Sequence, residues 1–315
     1  MSENQRKRPI FLVGSPRSGT TLLRDLLCSH ERLALPLESQ ILPLAYGVWG
    51  KVRGNHDARL LARQLLRYPT IRGWGVSPDE LEYPPNPTFA GVVACIFQAY
   101  ANLHGKARWG DKTPLYVKSL PLLRELFPEC QIIHIIRDGR DVSLSVIKTT
   151  YGSANLVRAM IQWRKAVEAG ILVGRSLGRD SYREVRYEEL LQEPETTLRD
   201  LLGWLGEDYS PAVLCRTTLT GPMLGPPTVV GENSHKWRTQ MSPDWLALCQ
   251  GVAGEALVRL GYPLIGPSRK PTLFRALPWL VQHKIRERIR NFRWDGRPWL
   301  AELQALAKSP ARNLP

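Results

Sequence analysis

Short apolar runs alternate with longer amphipathic stretches over the first 260 residues or so. The runs at 9–13 and 131–136 are too short and too apolar for surface helices, so they predict buried strands. Further strands are predicted at 182–187 and, more weakly, at 107–110. Apolar residues at helical spacing predict helices over 58–68, 90–103, 115–127, 154–177, 190–205 and 243–260. This alternation is typical of an α/β fold in which helices flank both faces of a mostly parallel central sheet.

The first predicted strand runs directly into a glycine-rich turn and then into a helix. Gly14 and Gly19 frame the turn, and Thr20 begins the helical stretch TTLLRDLL. This arrangement leaves backbone amides pointing outward at the positive end of the helix dipole, where phosphate or sulfate binds. The residues predicted to form the anion site are Ser15, Pro16, Arg17, Ser18, Gly19, Thr20 and Thr21.

The turn differs from the phosphate loop of nucleoside triphosphatases at one position. Gly14 and Gly19 have the Walker A spacing, but Thr20 occupies the position of the Walker Lys. Because that Lys contacts the β- and γ-phosphates, its absence indicates a ligand without them. Arg17 and the hydroxyls of Thr20 and Thr21 remain suited to a 5′-phosphosulfate.

The second apolar strand is followed by the segment RDGRDVSLS, which begins at Arg137. Its guanidinium can bind a phosphate through two parallel hydrogen bonds, and Ser145 lies two helical turns further on. Alone, the segment would favour an Arg137–Asp138 surface ion pair that caps a helix. Together, the two segments resemble the 5′-phosphosulfate loop and the 3′-phosphate segment of sulfotransferases that use 3′-phosphoadenosine-5′-phosphosulfate (PAPS). The resemblance implies a P-loop-like, three-layer fold.

Other segments resemble the tyrosyl-protein sulfotransferase branch and its bacterial relatives, in consistent order from residue 9 to residue 263. In LPLES, the resemblance implies that Glu38 is the catalytic base. In WGDKTP, it implies that Lys112 reaches the transferring sulfuryl group. It further implies that Tyr187 lies against the nucleotide and that the NSHKW segment closes on it. The implied catalytic residues are Glu38, Lys112 and Arg17, and the implied donor ligands beyond the loop are Arg137, Ser145, Tyr187, Ser234 and Lys236.

Several of these side chains also have simpler interpretations. Glu38 would suit the first turn of a helix, where the dipole favours an acid. Lys112 could pair with Asp111, and Tyr187 could be a core aromatic at the end of a strand. His134 lies inside an apolar strand, which favours a core histidine over a catalytic base.

The resemblance implies sulfuryl transfer from PAPS to an acceptor hydroxyl without a metal, with 3′,5′-adenosine bisphosphate as the product. A tyrosyl phenol is the first choice of acceptor, and a sugar or small metabolite is the next.

Two other functions are alternatives for the same residues. A P-loop kinase would instead require magnesium and ATP. A basic nucleic-acid-binding protein would lose affinity steeply with salt, but the sequence has no helix-turn-helix, zinc or RNA-recognition signature, so no nucleic acid is expected as a partner. The 217–232 loop, rich in Gly, Pro and Thr, matches the branch poorly. The resemblance therefore does not define the acceptor cleft.

The formal net charge of the 315-residue chain is +14, and it is unevenly distributed. Nine basic and two acidic residues within 269–297 supply half of the excess. There an apolar stripe among basic residues predicts an amphipathic helix, so the sequence divides into a PAPS-binding domain (1–265) and a helical extension (266–315). This helix could pack on its own domain, make peripheral contact with an anionic membrane, or bind an acidic partner.

Cysteine spacing and hydropathy bear on the compartment. The five cysteines are dispersed without C-x-x-C spacing, which favours reduced thiols over a disulfide framework. No apolar stretch approaches the roughly 20 residues of a membrane span. These features predict a soluble, cytoplasmic protein without a signal peptide, and they leave the oligomeric state undetermined.

Overall fold

The computed structural model describes residues 8–149, 155–214 and 233–268, together with the backbone of 217–218 and 221–222. At its centre is a five-stranded sheet with the order β2-β3-β1-β4-β5, in which every pairing is parallel. A separate antiparallel pair consists of β6 and β7. The strands are β1 (Ile10–Gly14), β2 (Leu33–Ala34), β3 (Arg108–Lys112), β4 (Gln131–Ile136), β5 (Tyr182–Arg186), β6 (Thr217–Thr218) and β7 (Gly221–Pro222).

Helices cover both faces of the sheet. Along β1, Phe11 and Val13 face a core shared with α2 to α5, whereas Ile10 and Leu12 face a core shared with α1, α8 and α9. This alternation is the two-residue period of a strand buried on both sides, and it confirms the predicted three-layer fold. The helices are α1 (Thr20–Cys28), α2 (Leu42–Trp49), α3 (Gly54–Leu66), α4 (Phe89–Leu103), α5 (Leu120–Leu126), α6 (Gly139–Ile147), α7 (Leu156–Ser176), α8 (Tyr187–Gln192), α9 (Pro194–Leu205), α10 (Trp237–Gln240) and α11 (Pro243–Arg259).

Three helices predicted as continuous are interrupted. The helix predicted over 243–260 is kinked at Ala253 (φ −134°), and the other two breaks come close before a proline. The predicted helix 115–127 is a 3₁₀ turn (Pro114–Lys118) followed by α5, with Ser119 at non-helical angles two residues before Pro121. The predicted helix 190–205 is interrupted at Glu193, directly before the proline that begins α9. Proline restricts the residue before it and lacks an amide hydrogen, so a new helix begins there. The apolar pattern did not predict α2, α10 or β2, and the pair β6–β7 lies in a segment predicted as loop.

The strand register brings the ends of three strands to one edge of the sheet. On β1, Leu12 is opposite Lys112 of β3, and Gly14 is opposite Ile135 of β4. The chain leaves β1 for one side of the sheet, builds β2 and β3 there, and then crosses to β4 on the other side. In open α/β sheets, ligands bind at such a switch point, outside the carboxyl ends of the strands.

Some of the sequence predictions concern residues outside the described ranges. They include the amphipathic extension beyond residue 268, most of the 217–232 loop, and Cys215. Among the described residues, Cys28, Cys95, Cys130 and Cys249 are free thiols. No helix in the described part of the chain combines the length and apolar character needed to cross a bilayer. The domain boundary at residue 265 and the cytoplasmic location stay predictions.

Candidate active site

The glycine-rich turn connects the carboxyl end of β1 to the start of α1. Arg17 (φ 72°) and Gly19 (φ 96°) both adopt left-handed backbone angles. At Gly19 a side chain would collide with the Tyr187 ring, so this position requires glycine for two reasons. The first α1 hydrogen bond runs from Leu23 N to Gly19 O, and no described side chain caps the helix. The amides of its first turn are therefore open to an anion.

Ser18 adds a buried donor to this turn. Its side chain is 0% exposed, and within the described part of the chain its Oγ has no hydrogen-bond partner. Buried polar atoms are nearly always satisfied, so an orphaned hydroxyl beside open amides points to a missing ligand. An anion that accepts hydrogen bonds from the turn would satisfy both.

Arg137 directly follows β4 and is almost completely buried. Its guanidinium carbon lies 4.4 Å from the centre of the Tyr187 ring, a cation–π contact. Its Nη1 donates to Arg17 O (3.4 Å) and its Nη2 to Asn233 O (2.5 Å). Its Nε is buried and has no partner among the described residues. Trp163 Nε1 donates to Arg137 O (3.0 Å), which fixes the backbone of the cation.

The two sequence segments meet at Arg17 and Ser145. Arg17 Nε donates to Ser145 Oγ over 3.0 Å, across 128 positions of sequence. Since Arg137 also contacts the Arg17 carbonyl, the residues predicted for the 5′- and 3′-ends of the nucleotide form one cluster. The surface ion pair between Arg137 and Asp138 is wrong, because Asp138 is buried and binds the backbone amide and guanidinium of Arg140.

Glu38 and Lys112 form a second cluster at the same edge. Lys112 Nζ lies 3.1 Å from Glu38 Oε1, and Gln40 Nε2 donates to Glu38 Oε2 at 2.9 Å. The Lys112 side chain is 2% exposed, whereas that of Glu38 is 38% exposed, so the carboxylate is accessible from solvent. Glu38 lies in a loop before α2, which excludes the first turn of a helix. Lys112 pairs with Glu38, so the simpler interpretation, an ion pair with Asp111, is wrong.

Tyr187 is buried at the point where β5 passes into α8. Burial raises the pKa of its phenol. Its hydroxyl accepts a hydrogen bond from Asn233 Nδ2 (2.9 Å), while its ring packs between Gly19 and Arg137. The resemblance implied that Tyr187 lies against the nucleotide, but it gave no role to Asn233, although this residue begins the NSHKW segment.

The rest of the NSHKW segment is fixed on α6. Trp237 N donates to Asp141 Oδ1 at 2.9 Å, and burial raises the pKa of that carboxyl. Ser234 is half-buried and Lys236 is exposed. The segment thus reaches the Arg137–Tyr187 cluster through Asn233, whereas Lys236 faces solvent in this structure.

His134 belongs to the core. It is 0% exposed, and its Nδ1 lies 2.6 Å from the Tyr182 hydroxyl. Burial lowers the pKa of the imidazole to about 4. Its ring packs against Gly170 of α7, away from the glycine-rich turn, which agrees with the interpretation as a core histidine.

Comparisons with known proteins identify the family of the chain. The model of the Sulfotransferase family matches residues 9–211. Protein-tyrosine sulfotransferase 2 of Gallus gallus is 29% identical over 221 residues, which cover 67% of this chain and 54% of that protein. Protein-tyrosine sulfotransferase A of Caenorhabditis elegans is 24% identical over an alignment of 319 residues, gaps included, that covers 96% of this chain and 78% of that protein. The chain therefore spans only about half the length of the chicken relative.

A solved structure shares the fold. The sulfotransferase domain of the Synechococcus PCC 7002 olefin synthase superposes with a TM-score of 0.59 at 23% identity, covering 82% of this chain and 97% of that domain. The P-loop-like three-layer prediction is thereby confirmed. With a family match over more than half of its residues, the chain belongs to the Sulfotransferase family, a family of transferase enzymes.

Proposed function

We propose that this protein transfers a sulfuryl group from PAPS to an acceptor hydroxyl. The observation that carries the proposal is the convergence of two clusters at one sheet edge. One cluster is an anion site built from the glycine-rich turn, Arg17, Arg137 and Ser145. The other is the Glu38–Lys112 pair, with an accessible carboxylate and a buried ammonium. Together they provide for a polyanionic donor and for deprotonation of an acceptor.

The donor set fits PAPS. The open amides, the orphaned Ser18 hydroxyl and Arg17 suit the 5′-phosphosulfate, and Arg137 with Ser145 suits the 3′-phosphate. The Tyr187 ring offers an aromatic surface beside Arg137. PAPS itself supplies an activated sulfuryl group on a phosphate that serves as leaving group. We assign no donor contact to Lys236, which the resemblance implied, because its side chain is exposed here.

Charge placement defines the roles of the catalytic residues. Glu38 accepts the proton of the acceptor hydroxyl, and its exposed side chain leaves it accessible. Lys112 and Arg17 stabilise negative charge on the transferring group and on the leaving oxygen, as cations do in phosphoryl transfer. Because the residues around the leaving oxygen are already cationic, we expect the reaction to need no metal.

A phenol is our first choice of acceptor, because the chicken and nematode relatives are named protein-tyrosine sulfotransferases. A tyrosine-containing peptide, its phenylalanine counterpart and a panel of sugars, each incubated with ³⁵S-labelled PAPS, separate these choices. Label on the tyrosine peptide alone supports the phenol. Label on the sugars instead moves the acceptor to carbohydrate without changing the donor site.

Calorimetric titration with 3′,5′-adenosine bisphosphate tests the donor site. We expect this nucleotide to bind much more tightly than 5′-AMP or ATP. Arg137→Ala should weaken the binding about 10- to 150-fold, since a hydrogen bond to a charged group contributes about 1.5–3 kcal/mol. Arg199→Ala serves as the matched control, because Arg199 is an exposed arginine of α9 that pairs with Glu195.

The competing functions predict different titrations. Preferred binding of ATP, with magnesium required for activity, would support a kinase and contradict the PAPS site. Absence of nucleotide binding by folded protein, together with salt-sensitive binding of nucleic acid, would support the nucleic-acid alternative.

A further inference from the structure

Asp111 is a buried carboxylate directly behind the Glu38–Lys112 pair, and it has no part in the roles proposed above. It is 0% exposed and precedes Lys112 on β3. Ser39 Oγ donates to its Oδ2 (2.5 Å) and Thr113 Oγ1 to its Oδ1 (2.9 Å). A buried charge is costly unless it is well bonded. The bond between Ser39 and Asp111 joins the chain next to both members of the pair, because Ser39 follows Glu38 and Asp111 precedes Lys112.

The ionised carboxylate sets the direction of the hydrogen bonds around it. A carboxylate only accepts, so the hydroxyls of Ser39 and Thr113 both turn their hydrogens towards Asp111. The lone pairs of Thr113 Oγ1 are then available to the loop backbone. They accept hydrogen bonds from Ser39 N (3.1 Å) and from Gln40 N (3.4 Å).

Tyr116 extends the same network to the start of α2. Because the Ser39 hydrogen is directed to Asp111, the Tyr116 hydroxyl donates to Ser39 Oγ across 3.0 Å. It also accepts a hydrogen bond from Leu42 N at 2.9 Å. Three backbone amides of the loop 38–42 thus donate to hydroxyl groups, and the orientation of these hydroxyls depends on one carboxylate.

This loop requires such support because of the conformation of Gln40. That residue has φ 57°, a left-handed angle that is uncommon outside glycine. In this conformation its side chain reaches back and donates to Glu38 Oε2, while Lys112 holds Oε1. The orientation of the carboxylate therefore depends on the backbone at Gln40, and that backbone is bonded to Thr113.

We infer that Asp111 is a positioning residue for sulfuryl transfer, which fixes the Glu38 loop through the hydroxyls of Ser39 and Thr113. The inference rests on the proposed role of Glu38 as the base. Misplacing a catalytic group by about 1 Å can cost about 10²-fold in rate. Loss of the Asp111 acceptor should therefore lower turnover without affecting the nucleotide site.

Titration of Asp111 gives the inference a pH dependence. Burial raises the pKa of its carboxyl to about 6, against the opposing effects of the two hydroxyl bonds and of Lys112. The other titratable group that faces it is the Tyr116 phenol. Because the folded state binds this proton more readily than the unfolded state, the group favours folding as pH falls from about 6 towards 3.8. Protonation removes the ionised acceptor over the same pH range. The Glu38 loop therefore loses its support as the pH falls, while the free energy of unfolding rises.

Three variants test the inference in the full chain. Asp111→Asn keeps the shape but places an amide donor against one hydroxyl, which must then turn its hydrogen elsewhere. Thr113→Val removes the acceptor of the Ser39 and Gln40 amides, whereas Thr113→Ser retains it. We expect Asp111→Asn and Thr113→Val to lower kcat by about tenfold or more. Thr113→Ser should stay near wild type.

Two further measurements separate position from general stability. Hydrogen exchange of the amides at 39, 40 and 42 should accelerate about tenfold or more in Asp111→Asn and Thr113→Val. Affinity for 3′,5′-adenosine bisphosphate should be retained in both variants. The thermal midpoint of Asp111→Asn at pH 7 should also be retained, because this substitution removes a buried charge.

The outcomes distinguish the inference from the proposed function. Wild-type kcat and wild-type exchange in both variants would overturn the positioning role. Parallel losses of kcat, nucleotide affinity and thermal midpoint would also overturn it, in favour of a structural role. If no acceptor of the panel is labelled, the proposed function fails. The exchange measurement then still decides whether Asp111 holds the loop.

Discussion

Replacing Glu38 with Gln is expected to lower the rate of sulfuryl transfer by about 10²- to 10⁴-fold, the usual contribution of a general base. Glutamine retains the shape and an acceptor oxygen for Lys112 Nζ, while the charge and the proton-accepting group are lost. Its amide nitrogen faces Gln40, whose side-chain amide must turn its oxygen towards it to keep that contact. Steady-state turnover of ³⁵S-labelled PAPS with the acceptor identified from the panel measures the effect. The loss should appear in kcat and kcat/KM equally, because a base acts in the transition state.

Two controls define this prediction. Glu31→Gln removes a carboxylate from an exposed position between α1 and β2, and it should leave the rate unchanged. Binding of 3′,5′-adenosine bisphosphate to Glu38→Gln should be at least as tight as in the wild type, because an anion near the donor is neutralised. A rate within a few-fold of wild type would show that the acceptor loses its proton to another group or to water.

The elements around the proposed donor site could be predicted because their signals are local. A buried strand, a glycine-rich turn and a helix start follow each other within residues 10–28, and a strand, a short turn and a helix follow each other again at 131–147. The residue types at the turns, such as Arg17 and Arg137, indicate an anion without any knowledge of the partners. The parallel sheet then brings the two turns to one edge, as α/β topology requires.

The contacts that hold the site residues in place could not be predicted, because they join distant parts of the chain. Asp111 and Ser39 are 72 positions apart, and Asn233 reaches Tyr187 across 46. Neither pair has a distinctive spacing in the sequence. The role of Asn233 could have been suggested by its place beside Ser234, but its backbone contact with Arg137 required the fold.

The largest effect on stability is expected at Arg108, a buried cation far from the proposed chemistry. Its side chain is 0% exposed, and so is that of its partner Glu207 at 3.0 Å. The guanidinium also donates to Arg8 O (2.7 Å), Leu205 O (2.8 Å) and Gln131 Oε1 (2.5 Å). Burial lowers the pKa of Arg108 to about 10, so the cation persists at neutral pH. It connects the start of β1, β3 and β4 to the end of α9.

Arg108→Met is therefore expected to lower the free energy of unfolding by about 3–5 kcal/mol, since it leaves Glu207 as a buried charge without its main partner. Urea denaturation followed by far-UV circular dichroism measures the loss. Arg32→Met is the matched control, because Arg32 pairs with the other oxygen of the same carboxylate at 2.9 Å but is 31% exposed. It should cost less than Arg108→Met, because the Arg32 side chain is partly exposed and Glu207 keeps its bond to Arg108. The double variant Arg108→Met/Glu207→Met should recover the part of the loss that comes from the unpaired Glu207 carboxylate. The acceptors Arg8 O, Leu205 O and Gln131 Oε1 still lose the Arg108 donor, so recovery should be partial. Equal losses in the two single variants would show that Arg108 contributes no more than an ordinary surface cation.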